Sequence, residues 1–119
     1  MSFKTDDEAY AEGERRRRCG ELDEALAAFE AALTLAPRHV GALNDAGWLL
    51  TTALSERPGA MGRGIDLLRD AIAAGPDDTR PLYNFADACV AIGQVGSAFA
   101  PVEPPGGPRY RAGRRAARA

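Results

Sequence analysis

Three trios of side chains suited to recognition recur at one helical spacing in this sequence. They are Tyr10, Glu14 and Arg17; Asn44, Trp48 and Thr51; and Tyr83, Asp87 and Val90. Steps of four and then three residues put each trio on one face of a helix. The chemistry such faces offer is binding. Tyr and Trp supply large anchors, and an Asn amide both donates to and accepts from a peptide group. Each has a plainer reading beside this one. Trp48 could pack between helices, Tyr10 and Tyr83 could cover a core edge with their hydroxyls in water, and Asn44 could be a solvated helix residue.

Bond-making chemistry has less to work with. His39 is the single histidine and falls in the turn after Pro37. There is no Ser–His–Asp order, HExxH, phosphate-cradling glycine loop or paired carboxylate in a defined pocket. The expectation is no catalytic residue and no enzyme. Cys19 and Cys89 lie far apart with no CxxC. A zinc site needs three or four ligands, so neither a metal nor a cofactor is expected. The two cysteines read as small core residues in a reducing compartment.

The elements that position these residues are organised around Gly20–Pro37, GELDEALAAFEAALTLAP. A Gly opens it, apolar residues recur at helical spacing, and a Pro closes it. The same skeleton returns over Gly59–Pro76, with the same Gly-to-Pro distance of 17. Laid over each other, Leu26 meets Ile65, Phe29 meets Leu68, Ala32 meets Ala71 and Leu33 meets Ile72. A helical repeat cannot bury its apolar face alone, so copies are expected to stack.

At 119 residues the chain is one small domain at most, with 45% hydrophobic residues for a core. The net charge of −2 argues against general nucleic-acid or membrane affinity but hides an asymmetry. Residues 1–100 hold 10 basic and 16 acidic side chains, hence −6; residues 101–119 hold 5 Arg and Glu103, hence +4. That shift puts a boundary near Ala100. No apolar run follows a basic region at the N-terminus, so no signal peptide is expected, and no stretch is long enough to span a membrane. The cytoplasm is the default location.

Thr5-Asp6-Asp7-Glu8 predicts a capping box, and a first helix from Asp6 to Arg18. Arginines 15–18 suit its negative end, with Glu12–Arg16 and Glu14–Arg18 as pairs one turn apart. Further helices are predicted over Asp23–Leu35, Gly41–Ala53, Met61–Ala74 and Arg80–Ile92. Leu54–Ala60 is a loop. Leu43, Ala46, Gly47 and Leu50 should face inward on the third helix, and Leu82, Phe85, Ala86 and Cys89 on the fifth. A sixth helix begins at Val95 and fails against Pro101, Pro104, Pro105 and Pro108, leaving 101–119 disordered.

With these spacings assembled, the chain resembles the tetratricopeptide repeat, whose period is 34 residues. Gly13 to Gly47 is 34, Gly59 to Gly93 is 34, and Gly47 to Ala86 is 39, the excess matching the Leu54–Ala60 loop. Ala25, Phe29, Ala32 and Pro37 match the family's second-helix signature. Leu43, Ala46, Gly47 and Leu50 match the spacing of its first-helix signature, with Leu in place of the usual Trp and Tyr. The resemblance covers about residues 6–98. It implies an all-α fold of about two and a half helix-turn-helix repeats, near 6–39, 40–78 and an incomplete 79–100, stacked as a short right-handed superhelical solenoid. Residues 1–100 are then the domain and 101–119 the tail. Glu12 and Arg16 stand where later copies carry apolar residues, which fits a first repeat with nothing in front of it. The missing last helix leaves Phe85, Cys89, Ile92 and Phe99 in want of cover.

Relatives of this family bind peptides in a groove lined by the first helix of each repeat. The resemblance therefore implies a protein or peptide partner and a groove of Tyr10, Glu14, Arg17, Asn44, Trp48, Thr51, Arg80, Tyr83, Asn84 and Asp87. Some members grip a C-terminal carboxylate with Lys and Asn on the first helix and Lys and Arg on the fifth. Here Tyr10 and Glu14 replace the first pair, and Glu14 would repel a carboxylate, so that version is rejected. Two rival functions remain: self-association through the open C-terminal end, and contact of Arg109, Arg111, Arg114, Arg115 and Arg118 with nucleic acid or an acidic surface.

Overall fold

The computed structural model describes residues 2–95, where every regular element is an α-helix. These are α1 (Asp6–Arg18), α2 (Leu22–Leu35), α3 (Val40–Thr51), α4 (Ala60–Ala74) and α5 (Arg80–Val95). The sixth helix expected from Val95 does not begin there, because α5 runs through Gly93 and ends at Val95; residues 96–100, Phe99 among them, and the Pro/Gly/Arg-rich tail lie outside the described residues. By its internal contacts the chain divides after Phe85, so α1–α4 and the start of α5 form one unit and Ala86 begins another.

α1 begins where its cap predicts. Thr5 Oγ1 accepts from the Glu8 backbone N–H at 3.0 Å, while Glu8 Oε1 accepts from the Lys4 N–H at 2.9 Å, one residue earlier than a capping box would have it. At the other end Arg15 and Arg16 both bind Glu12, and Arg16 also reaches Glu21 across the turn. Glu14 pairs with Arg17 at 2.8 Å rather than with the expected Arg18. The arginine run is therefore largely matched by its own helix and turn. Cys19 departs from expectation: it caps α1 and is exposed, because the chain turns outward there into Gly20.

Small residues set how closely the helices pack. Ala9 and Gly13 are the buried positions of α1, and Ala25, Ala28, Phe29 and Ala32 those of α2. A Cβ on Gly13 would run into the Phe29 ring. In the next pair, a Cβ on Gly47 of α3 would stand 2.7 Å from Leu68 Cγ and 3.0 Å from the Gly64 carbonyl of α4. Both pairs thus set a large α2 or α4 side chain over a glycine on the preceding helix.

α2 packs on α3 as well as on α1, and α3 is the most enclosed helix. Ala42, Leu43, Ala46, Leu49 and Leu50 are all buried. His39, expected only as a turn residue, caps it: Nδ1 accepts from the Ala42 N–H at 3.1 Å. The breaker-rich segment before α4 is a turn that buries Leu54 and closes on Gly59, whose φ of +76° suits glycine. Arg57 binds Asp23, and Arg63 binds Glu30 at 2.6 Å, so the turn and α4 are both held to α2.

α5 sits rotated from its predicted face. Pro81 and Phe85 are buried, while Leu82 is 53% exposed and Ala86 is exposed too. Beyond the unit boundary Ala88 is buried, Cys89 half-buried and Val90 exposed. Within the first unit the inward residues of α5 are Pro81 and Phe85, where Leu82 and Phe85 were expected. Phe85, expected to lack cover, is only 4% exposed, and the Arg69 guanidinium stands over its ring at 5.8 Å. Among the described residues no helix is long and apolar enough to cross a membrane.

Candidate functional site

α1, α3 and the first turns of α5 line an open cleft of about 380 Å³. α1 contributes Tyr10, Glu14 and Arg17; α3 contributes Asn44, Asp45 and Trp48; α5 contributes Arg80, Tyr83 and Asn84. Eight of the ten residues expected on this face are therefore brought together. Thr51 is not. It is buried, its hydroxyl donates back to the Gly47 and Trp48 carbonyls, and its methyl lies toward Gly64 of α4. A threonine at a helix end satisfies itself this way, so the predicted register stops one turn early. Asp87 is exposed and is not among the lining residues.

Tyr10 is seated by what surrounds it. Its ring lies 5.7 Å from that of Phe29 and 4.8 Å from that of His39, and Gly41 leaves room for it: a Cβ there would be 2.8 Å from Tyr10 Cζ. Its hydroxyl donates to Asp45 Oδ2 at 2.9 Å. Asn44, only 3% exposed, donates to Asp45 Oδ1 at 2.9 Å and accepts from Asn84 Nδ2 at 2.9 Å. One hydrogen-bond chain thus ties α1, α3 and α5 together along the cleft floor. A solvated Asn44 is excluded by its burial, and Trp48 and Tyr83 remain 36% and 68% exposed.

Asp45 is the residue the sequence reading missed, and with it a carboxylate pair that reading did not find. The Glu14 and Asp45 carboxyls both border the cleft and influence one another electrostatically. Burial, reinforced by the Glu14 carboxylate, raises Asp45 to about 7. Glu14 is lowered; burial opposes this, but hydrogen bonds from Asp45 and Arg17 outweigh it. Arg17 takes one Glu14 oxygen, Oε1; the other, Oε2, is buried without a hydrogen-bond partner among the described residues. The two carboxyls therefore titrate as an interacting pair that holds one proton between them, on the Asp45 side. The Tyr10 phenol is pushed well above its ordinary range by burial and then by Asp45.

The cationic side of the cleft is already engaged. Arg80 grips Asp78 through Nη2–Oδ2 at 2.6 Å and Nε–Oδ1 at 3.1 Å, which raises the guanidinium further. Arg17 is held up in the same way by Glu14.

Two other places offer geometry. A cleft of about 430 Å³ between α2 and α4 is floored by Leu33, Leu43 and Leu67 and crossed by the Arg63–Glu30 ion pair. Ligand atoms of Asp6, Asp7 and His39 lie within 4.8 Å of one another. Because His39 Nδ1 accepts from the backbone, Nε2 carries the proton and donates to Asp7 Oδ1 at 3.1 Å. That cluster is a helix cap with its histidine oriented, not a preformed ligand set.

No protein-family model matches the chain, and neither does any curated protein or solved structure.

Proposed function

We propose that this chain is a helical-repeat adaptor of tetratricopeptide type that holds a peptide segment of a protein partner in the cleft of α1, α3 and α5. The observation that carries the reading is the cleft itself. Three alternate helices deliver side chains to one surface, joined by the Tyr10–Asp45–Asn44–Asn84 chain, with Trp48 and Tyr83 left exposed beside it. A rigid polar floor with exposed aromatics suits an extended peptide.

The repeat assignment is supported by packing. Gly13 against Phe29 and Gly47 against Leu68 are the same contact made twice. The glycines are 34 residues apart and the large residues 39, the five extra falling in the turn before α4. On this reading the right-handed superhelix and the two and a half repeats follow from the family resemblance, and the cytoplasm is the default setting. No catalytic step is proposed for the Glu14–Asp45 pair.

The test is a random peptide library selected on the full chain and re-assayed on Trp48→Ala. Selected peptides are expected to lose about tenfold or more in affinity, as for an interface anchor worth at least ~1.4 kcal/mol. Equal affinity for both proteins would remove the cleft from consideration. A second reading, self-association through α5, is favoured by the exposure of Leu82 and Val90; it requires a dimer in solution, which the first reading does not.

A further inference from the structure

The charge inventory of the cleft points to the kind of segment that would enter it, granted that it binds peptides at all. We propose that the bound segment inserts a basic side chain, lysine or arginine, beside Glu14 and Asp45 in this cleft.

The groups facing the pair come from three helices. α1 supplies Tyr10 and Arg17, α3 supplies Asn44, and α5 supplies Arg80. Both guanidiniums have carboxylate partners, Glu14 for Arg17 and Asp78 for Arg80. An anionic ligand would therefore have to break an ion pair to gain one. A cation meets the opposite situation: Glu14 Oε2 is buried with no hydrogen-bond partner among the described residues. Trp48, exposed on the same wall, offers a ring face for an alkyl stem or a guanidinium.

Charge balance favours the insertion. With Asp45 protonated, Glu14 offsets Arg17 and Asp78 offsets Arg80, so the site is neutral. Ionising Asp45 leaves one negative charge, which one inserted cation cancels. Proton and cation are therefore alternatives at a single position. Because Asp45 holds its proton up to about pH 7, the cation must displace it below that pH and need not above it. Binding should tighten about tenfold between about pH 6 and pH 8 for a group of that pKa.

The peptide library selected on the full chain, counter-selected against Trp48→Ala, decides between the outcomes. Enrichment of Lys or Arg at one position is the expected result. The selected peptide should then weaken by about tenfold when that residue becomes citrulline or acetyl-lysine. It should bind Asp45→Asn with little change between about pH 6 and pH 8, where a neutral amide has no proton to exchange. Should Asp45→Asn fail to reach native helicity, Glu14→Gln in the same assay gives the corresponding loss. Trp48-dependent peptides enriched in Asp, Glu or neutral residues would overturn this inference while leaving peptide binding in place. The absence of any Trp48-dependent peptide would overturn both.

Discussion

Truncating Phe29 to alanine is expected to lower the free energy of unfolding by about 3–5 kcal/mol, the usual cost of deleting a buried ring. The ring is fully buried, fills the space that Gly13 leaves and stacks near Tyr10. α1 has little else to hold it, since Ala9 and Gly13 are its only buried positions. Small domains are stable by roughly 5–15 kcal/mol, so such a loss removes a substantial share of the whole margin. The damage should also reach the cleft, because Tyr10 rests on the same ring. Urea unfolding followed by helical circular dichroism measures the loss. Leu35→Ala, at a half-exposed position, is the control and should cost under about 1 kcal/mol. A Phe29→Ala loss as small as that of the control would mean that the ring does not anchor α1.

The second large effect concerns pH. Asp45 is raised from 3.8 to about 7, so the folded chain holds a proton that the unfolded chain releases. Stability from this group is complete below the unfolded value and is lost as pH rises toward about 7. Glu14 is lowered, so its contribution is present above its unfolded value and is lost as pH falls through the folded one. Together the pair gives greatest stability in mildly acidic solution. A shift of about three units corresponds to ~4 kcal/mol at full weight; partial solvent access and sharing with Glu14 reduce this to roughly 1–2 kcal/mol. The wild-type chain should therefore unfold more easily at about pH 8 than at about pH 5, and Asp45→Asn should flatten that slope. Wild-type stability that stays level or rises across this range would contradict the shared proton.

The helices were legible because their ends are written locally. Thr5 and the arginine run mark α1, Pro37 stops α2, and the breakers of Leu54–Gly59 exclude a helix there, so the observed bounds differ from the predicted ones by three residues at most. Much of the cleft was legible for a related reason: the four-then-three spacing of its aromatic and amide residues is a helical face. What spacing does not encode is which faces meet. Asp45 finds Tyr10 and Glu14 more than thirty residues earlier in the chain. The available signal was an acid set among the apolar residues of GALNDAGWLL, where burial would be expected to perturb it. α5 was misjudged because hydrophobicity alone favours Leu82 as an inward residue. The structure instead buries Pro81, which turns Leu82 to solvent.

The central claim, that a segment binds across α1, α3 and α5, has convenient reporters. The chain contains one Trp, and its two Asn residues are Asn44 and Asn84. Their indole and side-chain amide signals can be followed by nuclear magnetic resonance on the isotope-labelled full chain while a library-selected peptide is added. All three are expected to shift together and saturate with the same affinity, because one occupant touches the Trp48 wall and the Asn44–Asn84 floor. Saturable binding that leaves the three signals in place would put the partner elsewhere on the molecule and contradict the account.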